Sequence, residues 1–475
     1  MAKLLFIQNL EYEFMGPMYI SAVLKRAGHS VRLAAGKSYG EIQGAVEAFK
    51  PDVAAFPVMT GQHRWALEMG RRLKKEYGLK TLYGGPHTTF FPEFIEEDGV
   101  DAICRGEGED AVLELMDAMA AGRDFSGVAN LSVKSGGTIR RNDIRRLRAD
   151  VDSYPFCDRE LYSGLPGAGP GGVKGVITSR GCVYKCTFCF EESMKALYRD
   201  KGRYVRFRSA GGVIEELKAL KAGCAPRTIY FCDDVFGINK EWLYGFLDMY
   251  KKEIGLEFIC LIRADVAASD AEYARKLYDA GCRVVFFGVE TGSERLRNEV
   301  LKKGLSDAAI RRAAENLHAA GIRFRTYNIL GLPDETLADA FRTVEMNVSI
   351  KADYPWCSIF SPYPRTELAR YAAEKGYLSP DFSPDDIPQS FFISSRLLMK
   401  DIKRIENLHK FFQTAVLWPW TLPLVKALVR LPPNPLFRLW FGLVYFYCYV
   451  RSEKRGFYGT LLFALRNYRS VLTKG

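Results

Sequence analysis

The sequence predicts an α/β protein in three parts: an N-terminal doubly wound, Rossmann-like domain, then a partial (βα)6 barrel, then a helical C-terminal region. Three observations predict it. Short apolar runs alternate with amphipathic stretches across residues 3–120, and again across 173–375. Strands alternating with helices form parallel sheets covered by helices. The second series holds about six βα units in roughly 205 residues, short of the ~250 that a closed eight-unit barrel takes. Past residue 380 the alternation stops and the chain turns aromatic and basic. The expected boundaries are a domain over 1–125, a linker over 126–172, a barrel over 173–380 and a helical region over 381–475.

In the first part Lys3–Gln8, Ser30–Ala34, Asp52–Phe56, Thr81–Tyr83 and Val100–Cys104 read as strands, being short apolar runs bounded by turn formers. Helices are expected over Pro17–Arg26, which ends at Gly28, and over Tyr39–Phe49, Arg64–Tyr77 and Ala111–Met119. Ligands of doubly wound sheets sit at the carboxyl ends of the strands. The segments found there are Asn9 to Pro17, Met59-Thr60-Gly61-Gln62-His63, Gly84-Gly85-Pro86-His87-Thr88 and Arg105-Gly106-Glu107-Gly108-Glu109. Each is rich in Gly, Pro or small polar residues, which ordinary βα turns also favour. Ser163 to Gly172 is rich in Gly and Pro and reads as linker. In the barrel, strands are expected over Val173–Thr178, Thr228–Cys232, Glu257–Ile262, Arg283–Val289, Arg323–Leu330 and Tyr354–Phe360. The helices that follow them are Gly211–Ala222, Lys240–Lys252, Asp270–Ala280, Ser306–Ala320, Glu335–Ile350 and Thr366–Lys375.

Of 475 residues 48% are hydrophobic and 26% charged, the composition of a folded globular chain. The net charge is +11, and its distribution matters more than its size. Residues 396–475 carry 14 Lys/Arg against 3 Asp/Glu, so the first 395 residues are neutral. A neutral body argues against nucleic-acid binding and sets the C-terminus apart. The opening apolar run is too short for a signal peptide. With 11 cysteines, an odd number, no disulfide framework is expected, and the chain reads as reduced and cytoplasmic. Most cysteines are scattered in apolar runs, as small buried hydrophobes. The exceptions are Cys182, Cys186 and Cys189, spaced C-x3-C-x2-C directly after the first barrel strand. Structural zinc usually takes four ligands, with a second C-x2-C pair; no such pair or nearby His is present. Three thiolates on a [4Fe–4S] cluster leave one iron without a protein ligand, open to a substrate.

The run Gly181-Cys182-Val-Tyr-Lys-Cys186-Thr-Phe188-Cys189 resembles the signature of radical S-adenosylmethionine (SAM) enzymes. The resemblance implies that the open iron chelates the amino and carboxylate groups of SAM and that Phe188 contacts its adenine. Later segments are similar in order. Tyr230 to Asn239 contains the acidic Asp233. Arg263 and Asp265 end the third strand, where Arg263 suits the SAM carboxylate or a plain salt bridge. Phe287-Gly288-Val-Glu290-Thr-Gly292-Ser293 resembles the fourth-strand segment, placing Glu290 by the SAM amine or ribose and Ser293 as a cap of the next helix. Asn328-Ile-Leu-Gly331-Leu-Pro333 resembles the fifth-strand segment, near the adenine. Ser361 to Glu367 resembles the sixth, with Arg365 where members usually have Gly.

The N-terminal turns in turn resemble the cobalamin-binding domain that precedes the barrel in one large radical SAM class. The residues implied to hold the corrin and its nucleotide tail are Asn9, Met59, Thr60, Gly61, Gln62, Gly84, Gly85, Pro86, His87, Thr88, Gly106, Glu107 and Gly108. None of the five histidines has Asp two positions earlier, so the Asp-x-His-x-x-Gly ligand motif is missing. The resemblance then implies cobalt without that histidine, with Met59 or Gln62 facing it. His63 reads as ordinary turn polarity. A methylthiotransferase carries three cluster cysteines in its N-terminal domain; residues 1–120 here contain only Cys104, which disfavours that rival.

The resemblance implies a cobalamin-dependent radical SAM C-methyltransferase. One SAM methylates cobalamin, a second yields a 5′-deoxyadenosyl radical that takes hydrogen from an unactivated carbon, and the substrate radical receives the methyl group. The implied cofactors are a [4Fe–4S] cluster, SAM and cobalamin. The implied partners are an apolar small-molecule or lipid substrate and an electron donor such as flavodoxin or ferredoxin. No catalytic acid or base is assigned. The alternative is an oxidative cyclase or rearrangement enzyme on a tetrapyrrole-type substrate; a cobalamin sensor with an inactive barrel is the reading of another class. Two uncharged runs in the tail, Phe411 to Val425 and Leu439 to Val450, fall short of the ~18 residues of a spanning helix. They suit a helical cap on the barrel, a cover over a large apolar substrate, or an interfacial segment that brings residues 396–475 onto the inner face of a membrane.

Overall fold

A computed structural model describes residues 1–165, 171–388, 392 and 394–452. The Gly/Pro-rich centre of the expected linker, 166–170, and the basic stretch 453–475 lie outside these. The chain divides into two compact units, Met1–Pro170 with Ser193–Arg206, and Gly171–Glu192 with Phe207–Gly475.

The first unit is one sheet. Its strands are β1 (Lys3–Gln8), β2 (Ser30–Ala35), β3 (Val53–Pro57), β4 (Lys80–Gly84), β5 (Ala102–Cys104), β6 (Leu131–Ser135) and β7 (Thr138–Arg141). Their order is β2-β1-β3-β4-β5-β6-β7. The first five run parallel, as expected. The helices are α1 (Met15–Arg26), α2 (Tyr39–Phe49), α3 (His63–Tyr77), α4 (Pro86–Phe90) and α5 (Glu109–Ala120). Local chemistry sets their ends. A reciprocal capping box of Ser38 and Glu41 opens α2, and left-handed Gly78 closes α3. Leu5, Phe56, Tyr83 and Ile103 from the strands pack on Ile42, Val46, Leu67 and Leu73 from the helices. The strand order reverses between β1 and β3, the switch point where such sheets bind ligands.

The stretch read as a linker departs from that expectation. It adds the hairpin β6–β7, antiparallel to β5. Gly136 and Gly137, both at positive φ (56° and 79°), form the two-residue turn. The charges of Lys134, Arg140 and Arg141 masked the strand alternation.

In the second unit the strands are β8 (Val173–Val176), β9 (Ser179–Arg180), β10 (Arg206–Phe207, at the junction of the two units), β11 (Thr228–Phe231), β12 (Glu257–Leu261), β13 (Cys282–Glu290), β14 (Arg323–Leu330) and β15 (Tyr354–Ile359). Six of them form a sheet ordered β15-β14-β13-β12-β11-β8. All pairs are parallel, and neighbours follow chain order without reversal, as in a partial barrel. Helix α6 (Phe190–Leu197) begins in this unit and belongs from Ser193 on to the first. The other helices are α7 (Ala210–Cys224), α8 (Lys240–Glu253), α9 (Ala264–Ala268), α10 (Ala271–Asp279), α11 (Asp307–Ala319), α12 (Leu337–Ser349) and α13 (Glu367–Glu374). Strand parity sorts the side chains. Phe324 and Leu330 of β14 join the large core shared with the helices, whereas Tyr327 joins Phe286, Ile259 and Tyr354 in a separate inner cluster.

The C-terminal region is helical: α14 (Ile402–Leu417), α15 (Leu422–Leu428) and α16 (Pro435–Ser452). α14 packs on β15 and α12, and α16 packs on α14. Ile405, Leu408, Phe412 and Ala415 of α14 enter the barrel core. α16 is longer than its apolar run, because Pro435 opens it and Arg451 and Ser452 extend it. No helix among the described residues is long and apolar enough to cross a membrane.

Candidate functional site

The three cysteines lie in the loop that follows β9, all half-buried. Backbone and side-chain bonds hold the loop open. Thr187, between the second and third cysteine, donates its N–H to Leu301 O at 3.1 Å and its hydroxyl to Val300 O at 2.8 Å. Leu368 N–H donates back to Thr187 O at 2.9 Å. The Glu191 carboxylate accepts the Cys182 N–H at 2.9 Å. Burial pushes the Cys189 thiol up to about 12, so it stays protonated until a metal displaces the proton. Among the described residues no three His, Cys, Asp or Glu converge on one ion-sized point. The donor set, three thiols in one short loop with no fourth ligand at ion-binding distance among the described residues, fits a multi-iron cluster better than a zinc ion. Phe188 packs against a cluster that includes Leu296, Leu301, Leu332 and Leu368.

The expected SAM residues meet different fates. Arg263 is buried and forms a bidentate pair with Asp265 (3.0 and 3.1 Å). It also donates to Lys303 O at 2.8 Å and lies 3.6 Å from the Tyr184 ring of the cysteine loop. The salt-bridge alternative thus describes its side chain. Asp233 turns back onto the loop entrance, accepting from Thr178 Oγ1 at 2.8 Å and Ser179 Oγ at 2.5 Å. Burial pushes its carboxyl up to about 6 against these hydrogen bonds. Glu290 sits at φ 63°, where β13 slips register, and pairs with buried Lys303 at 2.7 Å. Ser293 stands directly before the helical turn that begins at Glu294 and continues as a π-turn over Leu296–Val300; its carbonyl accepts the Arg297 N–H at 2.9 Å, and its side chain hydrogen-bonds Asp339. Asn328 shares strand parity with Phe324 and Leu330, so it faces α12. Its amide is used by Thr326, Asn347 and Trp356 O, away from the inner face where an adenine contact was expected. Pro333 is buried in the turn after β14, beside Asp334 at φ 62°. Arg365 is exposed and has φ 71°, so the backbone keeps the glycine conformation while the side chain is Arg. Arg365→Gly is expected to stabilise the protein by about 0.5–1 kcal/mol, read as a higher Tm.

The inner face of the sheet is lined by aromatic residues. Tyr230, Phe286, Tyr327 and Trp356 follow one another with centroid spacings of 5.7, 5.9 and 5.2 Å. The buried Arg325 guanidinium stacks 4.3 Å from Phe286. Beside it, Arg325, Trp356, Gln413 and Tyr445 help line a cavity with room for about one water.

In the first unit the loops at the β1–β3 switch point are partly exposed, Tyr12 and Met59 among the most exposed. Thr60, Gly61 and Gln62 follow Met59, with Gln62 N–H donating to Met59 O at 3.0 Å. Gly85 has φ 98°, and a Cβ there would lie 3.0 Å from Val58 O. That closeness lets Val58 N–H reach Gly84 O at 2.7 Å and His87 N–H reach Val58 O at 3.0 Å. Pro86 opens α4, and Thr88 Oγ1 donates to Cys104 O at 3.1 Å. The loop at Asn9 is held from below by Gln8, whose Nε2 donates to Tyr12 O at 2.9 Å. These small, backbone-rich turns fit a cofactor held by its edges. His87 departs from the expectation, because it is buried and stacked on His63 at 4.1 Å, with Thr60 Oγ1 at 3.2 Å. Glu107 is also engaged. Its N–H donates to Tyr198 Oη at 2.7 Å, its carbonyl accepts from Asn130 at 2.7 Å, and its carboxylate pairs with Arg206. Gly106 is required at φ 73° because a Cβ would overlap the Tyr198 hydroxyl, while Gly108 packs near Ile20 and Cys104.

Sequence reasoning missed Thr187, Tyr184, Lys303, Tyr198, Arg206 and Glu335. Glu335 followed Pro333 in plain view, but nothing local said it would be buried. Its Oε2 accepts from Gly331 and Leu332 N–H groups, and its Oε1 has no hydrogen-bond partner. Burial pushes the carboxyl from 4.5 up to about 8. The folded state therefore holds a proton that the unfolded chain gives up. This contribution to stability is complete below pH 4.5 and is lost as pH rises through about 8. Between about pH 6 and pH 8.5 it amounts to roughly 2–3 kcal/mol. Glu335→Gln is expected to remove that dependence, so the variant gains in Tm relative to the parent protein as pH rises. An unchanged difference across the range would show the carboxyl already ionised.

Comparison with known proteins identifies both domains. Residues 176–346 match the Radical SAM superfamily and residues 10–116 match the B12 binding domain. The chain is 30% identical over 372 residues to an uncharacterized methyltransferase of Pyrococcus horikoshii, covering 77% of this chain and 79% of that protein. It is 26% identical to a putative methylthiotransferase of Methanocaldococcus jannaschii, over 76% and 78% of the two chains. It is 23% identical to the anaerobic magnesium-protoporphyrin IX monomethyl ester cyclase of Rubrivivax gelatinosus, over 77% and 69%. The fold resembles that of the radical S-adenosylmethionine methyltransferase TsrM from Kitasatospora setae, solved with cobalamin and a [4Fe–4S] cluster. That likeness has a TM-score of 0.62 at 18% identity and covers 79% of this chain and 75% of TsrM.

Proposed function

Because the chain belongs to the radical SAM superfamily, in the branch that carries a B12 binding domain, we propose that it transfers a methyl group to an unactivated carbon of an apolar substrate. Membership brings three cofactors, a [4Fe–4S] cluster, SAM and cobalamin. When bound, the cluster and SAM supply one-electron cleavage chemistry, and cobalamin supplies a methyl carrier. The observation that carries the substrate class is the aromatic lining of the barrel's inner face, Tyr230, Phe286, Tyr327 and Trp356.

The protein's own residues bind, orient and exclude water. Cys182, Cys186 and Cys189 would ligate three irons, and Thr187 and Glu191 keep those thiols in a loop of one shape. Tyr184 shields the Arg263–Asp265 pair beside the loop. The Glu290–Lys303 pair sets the end of β13, where a strained φ is held by a buried ion pair. The inner aromatics offer an apolar wall and few groups that compete for hydrogen bonds. In the first unit the turns at Met59 to Gln62, Gly84 to Thr88 and Gly106 to Gly108 would cradle the corrin. Methyl-labelled SAM, supplied with a flavodoxin or ferredoxin reductant, tests the proposal. Label in the product supports it, and an unlabelled product formed alongside 5′-deoxyadenosine refutes it. A second reading, oxidative cyclisation, is favoured by the cyclase relative; the unlabelled outcome is the one it expects.

A further inference from the structure

The C-terminal helix α16 is apolar on two faces, and only one of them is used. Phe437, Phe441, Val444 and Cys448, at i, i+4, i+7 and i+11, are buried against the rest of the unit. Leu436, Leu439, Trp440, Leu443 and Tyr447, at i, i+3, i+4, i+7 and i+11, are exposed, Leu436 by 73%. Nearby in the chain, Trp420 (80% exposed), Leu424 and Leu431 are exposed as well. These eight residues, from a segment of 28, make up more than half of the fifteen large hydrophobic side chains exposed among the described residues. A single exposed Leu is ordinary; an exposed apolar stripe at helical spacing, with Trp440 at its edge donating its indole N–H to Thr414 Oγ1 at 2.8 Å and Trp420 close by in the chain, is the kind of patch that marks an interaction surface.

Charge selects the occupant. From Asn407 to Ser452 the sequence has five Lys/Arg and no Asp or Glu. Four of the five, Lys426, Arg430, Arg438 and Arg451, are exposed. A protein partner for such a ridge would need a matching apolar groove. A bilayer needs only apolar depth, and anionic headgroups answer the bases. Tryptophan and tyrosine suit the headgroup layer, and long basic side chains reach past an apolar stripe to the phosphates. No helix among the described residues is long and apolar enough to span a bilayer, so the fitting arrangement is one along the surface.

We propose that α15 and α16 form a peripheral docking surface for an anionic lipid bilayer, with the stripe Leu436 to Tyr447 inserted among the acyl chains. This is independent of the methyl-transfer reading, because it rests on the helix and its charge alone.

The test is co-flotation of the full chain with vesicles of phosphatidylglycerol and phosphatidylcholine, against vesicles of phosphatidylcholine alone, with sedimentation of the lipid-free protein in parallel. The parent protein is expected to float with the anionic vesicles, less so at high salt. Leu439→Glu with Leu443→Glu is expected to weaken vesicle binding by about tenfold or more, since a Leu gains from leaving water for the acyl layer and a Glu carboxylate loses. Both positions are exposed, so the thermal transition of the variant should match the parent's. Arg430→Glu with Arg438→Glu should abolish the preference for anionic lipid. The proposal is overturned if the parent does not float, if the double Glu variant floats equally well, or if the stripe variant only dissolves a dimer. It is overturned also if vesicle binding appears only once residues 453–475 are deleted, which would make those residues the stripe's occupant.

Discussion

Replacing any one of Cys182, Cys186 and Cys189 with Ala is expected to reduce 5′-deoxyadenosine formation from SAM to background. The reason is the donor count. The loop offers three thiols, and no other described His, Cys, Asp or Glu residues gather into a group of three that would substitute. Two thiolates hold a cluster poorly, and a wrongly held cluster does not present its open iron at the strand ends. The loop itself should survive, because its shape depends on Thr187 and Glu191 rather than on the sulfur atoms. Iron and sulfide analysis after anaerobic reconstitution should fall together with SAM cleavage. Cobalamin uptake should persist, because its loops belong to the first unit. Cleavage at the parent rate in all three variants would mean that the cluster lies elsewhere.

The second large effect is expected at Arg297, four residues past the fourth-strand segment that ends at Ser293. Its side chain is completely buried. It donates to Thr291 O at 3.1 Å, to Leu305 O at 3.0 Å and to Asp307 Oδ1 at 2.8 and 2.5 Å. Arg297→Met keeps the volume and strips those bonds, leaving the Thr291 carbonyl and the Asp307 carboxylate without this donor, while Leu305 O keeps Asn298 Nδ2 at 3.2 Å. Breaking a fully buried pair from one side costs about 3–5 kcal/mol; Asp307 is 38% exposed and water takes up part of that loss, so about 2–3 kcal/mol is expected, read as a lower denaturation midpoint in urea. The π-turn that Arg297 anchors includes Val300 and continues to Leu301, the two carbonyls that hold Thr187 of the cysteine loop. Reconstituted iron content should therefore drop as well. Adding Asp307→Leu should recover part of the stability, because the orphaned carboxylate is then gone. A midpoint equal to the parent's would remove Arg297 from any structural role, and lost stability with full iron content would uncouple the turn from the loop.

Much of this molecule could be read locally. Strands and helices of the two α/β parts came from apolar periodicity, and β1, α2 and β14 have the residue limits that periodicity predicts. The hairpin of β6 and β7 was overlooked although its Gly136-Gly137 turn was visible, because charge on its outer face hid the alternation. Asn328 was assigned to a ligand by its place in a motif. Strand parity sends it to the opposite face, where Asn347 is its partner. Glu107 reads from the sequence as part of a cofactor turn, but its carboxylate is taken by Arg206, 99 residues away.

The sequence by itself determined what depends on neighbours along the chain: the βα alternation, the C-x3-C-x2-C donor set, the glycine-rich turns and the position of the +11 charge. The tertiary structure alone decided what depends on neighbours across space. It chose which carboxylates are already paired, raised Glu335 by burying it, and left one apolar face of α16 uncovered while burying the other. The physical reason is that propensity and spacing act over a few residues. Burial, pKa and pairing are set by groups that folding brings together from distant parts of the chain.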